Sequence, residues 1–150
     1  MKLCVVVLLL TLLLAGCKHD SPMSAKAVND AGEVFVQGKI DNKWQVDRAT
    51  AEELRGMGMT IDNFWLLNKK KFENSGAYQE FGLLLENHIS RIDAYCALSG
   101  DCKRDLYVRL DSIKAEVPIL STGELEKGKA ALLRIKNVWA GVDTAFSYQY

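Results

Sequence analysis

The chain has 150 residues, 49% of them hydrophobic, with 19 Lys and Arg balanced by 19 Asp and Glu. That is room for one domain. The balanced charge leaves no basic excess to neutralise phosphates, which argues against nucleic acid as a partner.

Met1-Lys2 is followed by an apolar run from Leu3 to Leu14 and then by Ala15-Gly16-Cys17. A positive start, an apolar stretch of roughly 7–15 residues and a small-residue cleavage region define a secretory signal. The run is too short to cross a bilayer, which takes about 20 residues. A membrane-anchor helix and a buried core helix are the competing readings. Leu14-Ala15-Gly16-Cys17 resembles the lipobox of bacterial lipoproteins. The resemblance covers the first 17 residues and implies that the Cys17 thiol receives a diacylglyceryl group. It also implies cleavage before Cys17 and acylation of the new amino group, as with palmitate. A single acyl chain gives marginal membrane binding, at ~0.8 kcal/mol per buried CH₂, and several chains give a durable anchor. An ordinary secreted protein with a chance Cys at the cut site is the alternative. In the sorting rule of this class, Asp after the Cys retains a lipoprotein in the inner membrane. Lys18 therefore implies an outer-membrane protein facing the periplasm, with the inner membrane or the cell surface as alternatives. The expected organisation is a signal peptide over 1–16, a lipidated Cys and tether over 17–32, and one helical domain over 33–150.

Of four cysteines, Cys4 falls in the signal and Cys17 carries the lipid, which leaves Cys96 and Cys102. An even pair in an oxidising compartment predicts a disulfide closing a short loop. Such a small ring stabilises by ~2 kcal/mol, less any strain. A zinc site lacks ligands, because the only histidines are His19 and His88. The spacing is not that of a Cys-x-x-Cys redox pair. No cofactor is expected.

Lys18 to Gly32 is small and polar and reads as the tether. From Glu33 to Val46, the residues Val34, Phe35, Val36, Ile40, Trp44 and Val46 are interrupted by Gly38 and Asp41-Asn42, which predicts a short strand or hairpin. Thr50 and Glu53 have capping-box spacing, and the helix they open is expected to stop near Gly56 or Gly58. A helical stripe then runs through Ile61, Phe64, Trp65, Asn68 and Phe72, with Ser75-Gly76 as punctuation. Tyr78, Phe81, Leu85, His88, Ile92 and Tyr95 recur at steps of three and four. Gly100 marks a turn. Leu106, Leu110, Ile113 and Val117 form a further stripe that Pro118 should end. Ser121 and Glu124 form a second capping box, before Leu125, Leu132, Ile135, Trp139 and Val142. The expected fold is mainly α: an antiparallel bundle of about four helices, three of them long, with a small β-hairpin or two-stranded sheet formed by the ends of the mature domain. Phe146, Tyr148 and Tyr150 alternate as in a strand. They are expected to pair with Val34–Val36 and to pack on the bundle or lie open as a docking edge.

Chemistry is thinly encoded. His88 lies on an apolar stripe, and Glu86 and Asp93 do not share its helix face, so a partly buried, satisfied histidine is the expectation. Glu52 and Glu53 are adjacent and suit a helix start. No Gly-x-Ser-x-Gly turn is present, and Gly56-Met57-Gly58-Met59 lacks the Lys and further Gly of a phosphate loop. Lys69-Lys70-Lys71 fits a solvated helix face better than an anionic-lipid contact, which normally uses about 4–8 cations. Trp44, Trp65 and Trp139 are expected in the core. The favoured function is therefore non-catalytic: a lipid-anchored binding or accessory protein of an envelope machine for secretion, pili or conjugation, or an exclusion or immunity lipoprotein. Its partner would be a periplasmic or envelope protein. The alternative is a small envelope-acting enzyme with a site around His88.

Overall fold

A computed structural model describes residues 25–28, 34–69 and 74–148. The signal, Cys17, Lys18, Lys70, Lys71 and Tyr150 lie outside the described residues. The fold is mainly α with small β elements, as the helical periods require. Strands β1 (Ala25–Val28) and β2 (Val34–Gln37) pair antiparallel, so a strand occupies part of the stretch read as tether. Strands β3 (Lys39–Ile40) and β4 (Lys43–Gln45) form the hairpin expected at Asp41-Asn42. Both turn residues have positive φ, 50° and 63°, as a two-residue type I′ turn demands.

Helix α1 spans Arg48–Lys69 without a break. The stop expected at Gly56 or Gly58 does not occur. Those glycines are positions where a neighbour comes too close for a Cβ: one at 56 would stand 2.7 Å from His88 Cε1, and one at 58 would stand 2.9 Å from Trp139 Cζ2. The Thr50–Glu53 capping box does not form either. Asp47 precedes the helix, and its carboxylate accepts from Thr50 N at 3.0 Å and Thr50 Oγ1 at 2.7 Å. Glu53 is thereby free to face another helix.

Helix α2 (Ser75–Tyr95) is capped by Asn74, whose side chain accepts from Gly76 N at 3.0 Å. It packs antiparallel against α1. Helix α3 (Gly100–Lys114) follows a short loop. Pro118 does not end it. Pro118 sits in the first turn of a separate short helix α4 (Val117–Ser121), where its missing N–H costs nothing. Ser121 accordingly closes α4 instead of opening the last helix. Helix α5 (Leu125–Ala145) starts after Gly123, at φ 72°, with no side-chain cap from Glu124. Leu54, Met57, Ile61, Phe81, Leu85, Leu106, Ile113, Leu132, Ile135 and Trp139 converge in one core.

The C-terminal strand exists, but its partner differs from the expected one. Strand β5 (Phe146–Ser147) runs parallel to β4, with Trp44 opposite Phe146 and Gln45 opposite Ser147. Val34–Val36 is already paired with β1, so its ladder positions face that strand instead. Gln37 fixes the β2 end to the bundle. Its amide donates to Ser99 O at 2.7 Å, and its side-chain oxygen accepts from Ser99 N at 2.9 Å.

Candidate functional site

The α1–α2 pair carries the most distinctive surface of the described residues. Thr60, Asn63, Phe64 and Leu67 recur along α1, and Ala77, Glu80, Phe81 and Leu84 recur along α2. These residues line an open groove of about 340 Å³. Its floor is aromatic. Phe64 stacks on Phe81 at a centroid distance of 4.3 Å and meets Tyr78 edge-on at 5.0 Å. The rim carries Leu67 and Leu84, both 44% exposed or more, where a monomer's interior-facing leucines would be covered.

A polar cluster continues the same face towards the start of α1. Glu53 Oε2 lies 2.9 Å from His88 Nδ1, and Arg91 donates to Glu53 Oε1 at 3.4 Å. Thr60 Oγ1 lies 3.4 Å from the other ring nitrogen, Nε2. The side chains of His88 and Glu53 are 20% and 18% exposed, so solvent and small molecules reach them. His88 is partly buried and hydrogen-bonded, as its position on the stripe implied. Its carboxylate partner comes from α1, not from Glu86 or Asp93 nearby in sequence. Glu53 and Thr60 stand seven residues apart, two helical turns, and so share a face. That spacing is visible in the sequence. Its meaning depends on the register of α1 against α2, which no local pattern gives.

Cys96 and Cys102 come to the same loop between α2 and α3, but they are separate thiols in this structure. Cys96 occupies the extended C-cap of α2, and Cys102 turns into the core from the first turn of α3, fully buried. Burial raises both thiols, and the neighbouring Cys96 adds to the rise at Cys102, which is pushed up to about 12. Two protonated thiols of this kind are poor nucleophiles.

Of the aromatic tail, Phe146 and Tyr148 are described, and Tyr150 lies outside the described residues. Phe146 is 1% exposed and belongs to the core. Tyr148 is half-buried, its ring near Trp139 at 6.4 Å and its hydroxyl bonded to Asp143. Burial and that carboxylate both raise the Tyr148 phenol. Trp139 is core, while Trp44 and Trp65 are only partly covered; Trp44 Nε1 donates to Asp105 at 3.2 Å. Lys69 is exposed and lies over the Trp65 ring at 5.6 Å.

Among the described residues, no group of three or more His, Cys, Asp and Glu side chains is placed to hold a metal ion. None of the described helices is long and apolar enough to cross a membrane. Compared with protein-family models, curated proteins and solved structures, the chain matches none.

Proposed function

We propose that the chain is a lipid-anchored envelope protein whose helical domain acts by binding a partner in the α1–α2 groove. Accessory subunits of secretion, pilus or conjugation machines, and exclusion or immunity lipoproteins, are the classes this fits. The carrying observation is the groove itself: a largely apolar, partly aromatic cleft with Leu67 and Leu84 exposed on its rim. The anchor reading rests on Leu14-Ala15-Gly16-Cys17 and places the protein, through Lys18, at the outer membrane facing the periplasm. Its geometry is compatible with the groove. The strands lie at the N-terminal end of α1, and a 22-residue helix is about 33 Å long. The groove belongs to the half of α1 away from those strands, which suits a domain offering its far end to a partner.

Two variants test the reading. Cys17→Ser should abolish acyl labelling and release the protein from the membrane fraction. Leu67→Asp with Leu84→Asp should leave anchoring intact and remove any partner recovered from the wild-type protein by crosslinking and mass spectrometry. Undiminished capture with the charged groove would exclude it as the docking surface.

A second reading, a small envelope enzyme around His88, is favoured by one observation: the contacts of His88 with Glu53 and Thr60 at the edge of the same groove. The two readings share the groove and differ in what happens to its occupant.

A further inference from the structure

We infer that Thr60, His88 and Glu53 form a hydroxyl–imidazole–carboxylate relay that cleaves the ester of an apolar acyl chain lying in the α1–α2 groove. The inference rests on the second reading above and deepens it by assigning a nucleophile and a substrate class.

The geometry sets the roles. Glu53 Oε2 lies 2.9 Å from Nδ1 and accepts its proton as a hydrogen bond, which leaves the Nε2 lone pair directed away from the carboxylate. The group facing Nε2 is the Thr60 hydroxyl, at 3.4 Å. That separation is long for a hydrogen bond, and such contacts tighten when substrate is bound. A nucleophile, a base within reach and a third group orienting the base are the arrangement by which hydroxyls are activated. The imidazole is positioned by more than its hydrogen bonds. It lies against Gly56, where any Cβ would intrude on the ring at 2.7 Å. Glu53 is held in turn by Arg91.

Thr60 is also part of the groove lining, so the hydroxyl stands where the polar relay meets the apolar cleft. Phe64, Leu67, Phe81 and Leu84 offer hydrocarbon contact to a chain, and Glu80 in the same lining disfavours an anionic substrate over a neutral ester. An ester with its carbonyl at Thr60 and its acyl chain over Phe64 and Phe81 satisfies both halves. Backbone N–H groups in the middle of a helix are bonded within it, so an oxyanion needs a side-chain donor. Asn63, one turn along α1 in the same lining, carries the amide that can serve.

In the first step Thr60 Oγ1 bonds to the ester carbonyl carbon, and its proton passes to His88 Nε2. The carbonyl π electrons move onto the oxygen, next to Asn63. Collapse breaks the bond to the alcohol oxygen, which takes the proton from Nε2 and leaves as the alcohol. In the second step water adds to the acyl-Thr60 carbonyl and gives its proton to Nε2. Thr60 Oγ1 leaves and recovers that proton, releasing the carboxylic acid. The net change is ester plus water to acid plus alcohol. Glu53 is a positioning residue, acting through His88.

The test uses the full chain with p-nitrophenyl octanoate, p-nitrophenyl acetate and a fluorophosphonate probe. The octanoate ester should turn over at least about tenfold faster than the acetate, because the extra methylenes occupy the groove. Thr60→Val and His88→Gln should each lower turnover by about 100-fold or more, and Thr60→Ser should retain it. Glu53→Gln should lower kcat with KM unchanged. The probe should mark Thr60, and His88→Gln should abolish the mark. Turnover that persists in Thr60→Val but falls in His88→Gln would overturn the nucleophile assignment and leave an enzyme around His88 standing. No turnover and no labelling in the wild-type chain would overturn both.

Discussion

Gly58 of α1 lies directly against the Trp139 ring of α5, so that a Cβ at position 58 would stand 2.9 Å from Cζ2. The two helices meet there through the α1 backbone and the α5 indole. On an open helix, Gly→Ala gains up to about 1 kcal/mol. Here the added methyl must displace a ring that is 3% exposed and packed in the core. Gly58→Ala is expected to lower stability by about 1–3 kcal/mol, the usual cost of overpacking. The urea midpoint reads this directly, and a raised midpoint would show that Trp139 yields.

Asp47 joins the start of α1 to the end of α2. Its carboxylate caps Thr50 and also accepts from Ala97 N at 3.3 Å, and the residue is 1% exposed. Asp47→Ala removes a helix cap and leaves a buried donor without its acceptor. A loss of about 2–4 kcal/mol is expected in chemical denaturation, more than a cap alone supplies. Asp47→Asn, which keeps one acceptor oxygen, should lose less.

Phe146 gives the tail a structural role. Its ring is in the core, and its backbone pairs with Trp44. Phe146→Ala is expected to cost about 3–5 kcal/mol, the range for a buried aromatic. Stability measured by thermal unfolding should fall in parallel on deletion of residues 146–150. Unchanged stability with lost partner capture would instead make the tail a docking element.

Alkaline pH should weaken the fold. Cys102 is pushed up to about 12 in the folded chain, from an ordinary value near 9, mainly by burial. Between those values the unfolded state has lost the proton and the folded state retains it, so stability falls as pH rises. The contribution is complete below pH 9 and gone above 12. The raised phenols of Tyr78, Tyr107 and Tyr148 act in the same direction from about pH 10 upward. Melting temperature should drop between pH 9 and 10.5, and Cys102→Ala should flatten that drop.

Local rules carried the sequence far where the structure is local. In the stripe from Tyr78 to Tyr95, Tyr78, Phe81, Leu85 and Ile92 are buried as the period requires, while His88 is partly buried and Tyr95 is exposed, and Asp41-Asn42 makes the expected turn. The failures come where a distant neighbour decides. Gly56 and Gly58 have the composition of a helix stop, yet tertiary contact with His88 and Trp139 makes them helical. Thr50 and Glu53 have capping-box spacing, but Asp47 takes Thr50 first and leaves Glu53 to His88. The strand character of Phe146 was legible from its alternation with Tyr148. Its choice of Trp44 over Phe35 was not, since pairing partners are chosen by the packed helices between them. The candidate site was half legible for the same reason: His88 stood out, and Glu53 and Thr60, which it contacts, lie on another helix.

The pairing of Trp44 with Phe146 also dictates an order of events. Those residues are separated by nearly the whole domain, so the ladder between them is a contact of very long sequence range. A chain emerging amino end first from a ribosome presents β4 early and β5 much later. Until the final residues arrive, β4 keeps an open edge and the core lacks the Phe146 ring. The nascent domain therefore stays incomplete while α1 to α5 are being made, and it locks only when Phe146 is delivered.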